Sequence, residues 1–91
     1  MGQLSLFDWN DANRRHLARH GVTPLEAEQC YRNDPLVVEE QFFPEEIRYL
    51  ALGETDAGRR LAVVFTICEQ RIRFITAYPM TARQQEIYEE G

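Results

Sequence analysis

The chain has 91 residues, 44% of them apolar, and a formal net charge of −5. That length suits a single domain spanning 1–91 that buries roughly 60–68% of its unfolded surface. The charge argues against a generally basic nucleic-acid binder, whose grip on phosphate rests on Lys and Arg. No apolar run approaches the roughly 18 residues of a membrane span and the start has no signal-peptide pattern, so a cytoplasmic protein without membrane contact is expected.

Residues 1–7 read as a short extended lead, with Leu4, Leu6 and Phe7 as core contacts. Asp8 or Asn10 can cap a first helix running to about His20. Along it Trp9, Ala12, His16 or Leu17, and His20 recur at helical spacing. Gly21 follows where a left-handed C-cap is wanted. Thr23-Pro24-Leu25-Glu26 combines a capping box with Pro at the first helical position. It predicts a second helix over roughly 24–32, with Leu25, Cys30 and Tyr31 packing near Ala27. Asn33-Asp34-Pro35 turns the chain.

Strands are then expected at Leu36–Gln41, around Ile47–Leu52, at Leu61–Cys68 and at Arg71–Tyr78, with Phe42 and Phe43 buried in the first connection. Thr55–Gly58 and Glu69-Gln70 supply the turns between the later strands. Leu61–Cys68 is nearly all apolar, as in a central strand covered on both faces. Thr81 can cap a last helix over roughly 82–89. The order predicts an α+β domain: two N-terminal helices, a four-stranded antiparallel meander and a C-terminal helix, with helices on one sheet face.

Strict alternation in the last strand points Arg71, Arg73, Ile75 and Ala77 one way and Ile72, Phe74, Thr76 and Tyr78 the other. Arg73, between two apolar residues, must meet an anion, a carboxylate such as Glu39 or Glu40, or open water. Ten basic residues, all Arg, favour bidentate contact with phosphate or carboxylate. Arg14, Arg15 and Arg19 cluster with His16 and His20 in a local basic patch, although such a run is most simply a solvated helix face. His16 and His20 share a helix face, but Cys30 and Cys68 lack ligand-like spacing, so no metal and no cofactor is expected. The two cysteines are expected to be small buried apolar side chains rather than a disulfide framework. Metal-free RNA cleavage needs only a base, an acid and a cation at the phosphate. His20, Tyr78 and an Arg would suffice chemically, although composition alone does not lead to that chemistry.

Phe7-Asp8-Trp9, Ala18-Arg19-His20-Gly21-Val22-Thr23 and Asp34-Pro35 resemble the BrnT family of type II toxins. Ile75–Arg83, ITAYPMTAR, with Tyr88-Glu89-Glu90 is similar to that family's C-terminal signature. The resemblance covers nearly the whole chain and implies a RelE-like fold and an endoribonuclease that blocks translation. It also implies an antitoxin partner of the ribbon-helix-helix type, similar to BrnA, through which alone the complex would touch DNA. By position, Arg19 and His20 match the family's basic-His pair, and Arg73, Thr76 and Arg83 its C-terminal polar positions. Tyr78 stands where the family commonly has Arg, and Ala82 where a second basic residue is usual. The site implied is therefore His20, Arg73 and Tyr78 for catalysis, with Arg19, Thr76 and Arg83 binding RNA. The alternative is a catalytically silent module that keeps the fold and binds an antitoxin-like partner.

Overall fold

Three reciprocal capping boxes set where the helices begin. The computed structural model describes residues 5–91, so Leu4 lies outside the described residues. Helix α1 spans Asp11–Ala18, and its cap is Asn10, whose side chain accepts from Asn13 N while the Asn13 side chain accepts from Asn10 N. Helix α2, Pro24–Arg32, starts on the Thr23–Glu26 box with Pro at its first position, and α3, Ala82–Glu90, on Thr81–Gln84. Each cap contributes about 1 kcal/mol. Eight residues are too few for α1 to stand alone, so packing must hold it. Gly21, at φ +70°, ends its turn without the Cβ strain another residue would meet.

The strands are β1 Leu36–Phe43, β2 Glu46–Glu54, β3 Arg60–Cys68 and β4 Arg71–Pro79, paired antiparallel in the order β1-β2-β3-β4. The expected α+β class and element order hold. β4 is an edge strand, and Phe7 adds a parallel bridge to Ile72 on its outer side.

The two sheet faces are covered by different helices. Leu17, Val22, Ala27 and Cys30 pack with Ala51, Leu61, Val63, Phe65, Phe74 and Ala77 on the first face. There Phe74 stacks with Phe7 (5.7 Å between centroids) and Trp9 (5.3 Å), a geometry aromatic pairs favour. Gly53 lets α2 close on β2, since a Cβ there would sit 3.1 Å from Cys30 O. On the second face Ile87 and Tyr88 of α3 pack with Leu52, Ala62, Met80 and Tyr78. Helices therefore lie on both faces, not one: Pro79 and the Thr81 cap redirect the chain across the sheet.

Several local expectations also change. Phe42 and Phe43 extend β1 and are exposed, because β1 is the other edge and, among the described residues, no helix covers its end. Phe43 instead lies under the Arg48 guanidinium, 4.6 Å from its ring centre. Leu6 and Leu25 are exposed while Phe7 is buried. The inward positions of α1 are Asn13 and Leu17, not Ala12, His16 and His20, because Trp9 precedes the helix and starts no stripe. Cys30 is fully buried and burial pushes its thiol up to about 12, whereas Cys68 is only half-buried; both are free.

Candidate active site

An extra residue in β4 decides what the site can contain. Val64 pairs with Thr76 and Phe65 with Phe74, so Ile75 has no partner across the ladder and forms a β-bulge. The bulge reverses the alternation beyond it. Arg71 and Arg73 before it, and Thr76 and Tyr78 after it, all fall on the face that carries α3, while Ile72, Phe74 and Ala77 enter the core under α1 and α2. Strict alternation separated Arg73 from Thr76 and Tyr78. The bulge unites them on one face.

His20 follows the C-cap of α1, with its backbone N–H bonded to Leu17 O at 3.0 Å. Its ring meets Tyr78 edge-on, with centroids 6.0 Å apart. Gln84 Nε2 donates to Tyr78 Oη at 3.1 Å, while its Oε1 accepts from Thr81 N at 3.0 Å. The capping box of α3 thus fixes the amide that holds the phenol. Because that phenol oxygen accepts from Gln84, its own proton remains available to another acceptor.

Arg73 is half-buried and engaged from the N-terminal side. Its Nε and Nη2 donate to Asp8 Oδ2 at 3.1 and 2.8 Å. Asp8 Oδ1 lies 3.9 Å from Arg71 Nη1. The hydrogen bond to Asp8 holds the Arg73 guanidinium above its already high ordinary value, so it stays charged. The carboxylate partner is therefore Asp8, 65 residues away in sequence, and not Glu39 or Glu40 on the far edge strand. Among the described residues Arg73 Nη1 has no hydrogen-bond partner. A cleft of about 190 Å³ beside Arg73 is lined also by His16, Asn10, Asn13 and Ile75.

The other expected residues stand apart. Arg19 is exposed at the end of α1. Arg83 is 80% exposed in the first turn of α3 and pairs with Glu86 at 3.4 Å, a surface contact worth little. The structure thus brings His20 to Tyr78 and puts Thr76 and Arg73 on the same face, but leaves Arg19 and Arg83 at the solvent. Sequence reasoning gave Asp8, His16 and Gln84 no place in this site. The four-residue spacing to His20 was the signal for His16, and the Thr81–Gln84 box was the signal for Gln84. Asp8 had no local signal. Among the described residues no three of His, Cys, Asp and Glu gather as a metal ion would require, and no helix is long and apolar enough to cross a membrane.

A comparison with curated proteins returns no match. The family model described as "Ribonuclease toxin, BrnT, of type II toxin-antitoxin system" matches residues 9–84, a span that takes in α1, the whole sheet and the start of α3. The chain belongs to the BrnT family of type II toxin–antitoxin ribonuclease toxins.

Proposed function

We propose that this chain is a toxin of a type II system that acts as a metal-independent endoribonuclease and inhibits translation by cutting RNA. The observation that carries the reading is the His20–Tyr78 contact, with the phenol oxygen held by Gln84. In this cleavage the 2′-oxygen bonds to phosphorus as the bond from phosphorus to the 5′-oxygen breaks, leaving a cyclic phosphate and a 5′-hydroxyl. His20 is the base that takes the 2′ proton, and Tyr78 gives its proton to the departing 5′-oxygen. Arg73 meets the charge that builds on the phosphate, and Thr76, two residues before Tyr78 on the same face, orients it. Arg19 and Arg83 flank this region as outer contacts to the RNA. A RelE-like arrangement is compatible with the helices and meander. The test is cleavage of an RNA oligonucleotide by purified protein: His20→Ala and Tyr78→Phe should each lower the rate about 100-fold. Rates equal to wild type would remove both assignments.

A second reading is favoured by the Arg73–Asp8 pair, which gives Arg73 a structural partner. In it the chain is a silent module that binds an antitoxin-like protein. Both readings include a ribbon-helix-helix antitoxin of the BrnA type, with DNA reached only through it. An open apolar groove of about 450 Å³, lined by Tyr31, Val37, Tyr49, Phe65 and Ile67 on the sheet face away from Tyr78, supports a protein partner. Expression of the chain alone in bacteria separates the readings: a nuclease toxin arrests growth and a silent module does not.

A further inference from the structure

We infer that the open half of the sheet face under α1 and α2 is a docking face for a basic amphipathic helix of a protein partner. This deepens the antitoxin reading, on which only the identity of that partner rests. The chemistry of the face is independent of it.

Register defines the face. Phe42 pairs with Ile47, Glu40 with Tyr49 and Val37 with Ala51, and Tyr49 pairs in turn with Phe65. Directly paired residues point to one side, so all of these share the face whose other half is the core under the helices. Helix α1 packs on β4, and α2 on β2 and β3. Toward β1 the apolar side chains stay open: Val37 is 47% exposed, Phe42 73% and Ile67 54%. Two hollows of about 450 and 410 Å³ adjoin there, with Tyr49 and Ile67 lining both. Exposed apolar residues scattered singly are ordinary, but a continuous run of them marks an interaction site.

The opening lies on a face rather than along an edge, and a layer of helix is what covers such a face in this fold class. Strands about 4.8 Å apart make β1 to β3 about 10 Å wide, the diameter of one helix. Val37 to Phe42 spans about 16 Å, the length of three helical turns. Charge selects which helix. Glu40 stands in the face opposite Tyr49, and Glu45 lines the second hollow at the turn from β1 to β2. Among the described residues neither has an ion-pair partner, and no basic side chain lines either hollow. Arg48, in the same part of the sheet, is occupied by Glu46 and the Phe43 ring. A helix with Arg or Lys beside its apolar stripe would pair these carboxylates. A second copy of this chain would instead bring the same two acids and another net charge of −5.

The experiment titrates the full chain into two fluorescent peptides of about 15 residues, each an alanine-rich helix with leucines at i, i+3, i+4 and i+7. One carries arginines beside the stripe and the other glutamates. Wild type should bind the arginine peptide about 10-fold more tightly than the glutamate peptide at physiological salt. Ile67→Asp and Val37→Asp should each weaken binding of the arginine peptide about 10-fold, although each adds a charge that plain electrostatic attraction would favour. Both residues are exposed, so these variants test the docking face rather than the fold. Leu25→Asp, at an exposed position on α2, should bind as wild type does. Equal affinity for the two peptides, or undiminished binding by Ile67→Asp and Val37→Asp, overturns the proposal. Self-association of wild type that Ile67→Asp abolishes, read by sedimentation, would give the face to a second copy and overturn it too. Peptide binding as expected, together with failure of wild type to bind a BrnA-type antitoxin, would remove the antitoxin reading and leave the docking face standing.

Discussion

Two arginine–carboxylate pairs tie the N-terminal third of the chain to the sheet, and they differ in what they leave open. Arg59, just before β3, donates through Nη1 to Gly21 O at 2.9 Å and to both oxygens of Glu26 at 3.1 Å. Glu26 in turn accepts from Thr23 N in the capping box of α2. Arg73 binds one oxygen of Asp8 and borders a cleft with His16. Exposure does not separate them, at 37% and 39% for the two arginine side chains. Surroundings do. The first pair joins a helix cap, a turn and a strand, so its groups face other protein groups. The second keeps a guanidinium charged, oriented and next to open space, which is how a protein prepares a cation for an incoming phosphate.

Replacing each arginine by Met keeps the aliphatic stem and removes the charge. Arg73→Met should lower RNA cleavage about 100-fold, the scale of losing one oriented donor at a charged transition state. Arg59→Met should change it by less than about threefold while lowering stability by about 1 kcal/mol, as read by urea unfolding. Equal effects of the two on cleavage would abolish the distinction drawn between them.

A finer test moves to the acids. Asp8→Asn retains a hydrogen-bond acceptor for Arg73 but removes the competing negative charge, so RNA affinity should rise about threefold at low salt. Glu26→Gln should leave that affinity unchanged. A fall in affinity for Asp8→Asn would mean that the carboxylate positions Arg73 more than it competes with phosphate.

The two pairs were unequally legible in the sequence, for a physical reason. Thr23, Pro24 and Glu26 lie within four residues and their capping chemistry is local, so α2 could be drawn at its observed bounds. Gly21 and Thr81 were readable in the same way. The Asp8–Arg73 pair joins residues 65 apart, and nothing near Asp8 distinguished a cap from an ion-pair partner. Asn10 was the better cap because Asn13 could reciprocate. The bulge at Ile75 is set by register against β3, and a run of apolar and polar residues in β4 carries no mark of it. That one extra residue decided whether Thr76 and Tyr78 share a face with Arg73. The family signature identified the strand-to-helix segment, but the geometry within it came only from the fold.

The smallest effect expected concerns pH and the Glu26 end of the comparison. The backbone N–H of Thr23 holds the Glu26 carboxyl below its ordinary value of 4.5, with Arg59 adding to the effect and partial burial opposing it. A carboxyl lowered in the folded state contributes stability that is fully present above its unfolded value and lost as pH falls through the folded one. Glu26→Gln keeps the capping geometry, since Gln also serves at this position of the box, but cannot ionise. At pH 7 the variant should therefore be less stable than wild type by about 1 kcal/mol, and the gap should narrow as pH falls below the ordinary value of 4.5 and the wild-type carboxyl takes up its proton. Urea unfolding of both proteins between pH 3 and pH 7 reads this directly, each pH sampled at fixed salt so that screening does not mimic titration. A gap that did not narrow at all as pH fell from 7 to 3 would count against a charge contribution from the Arg59 pair.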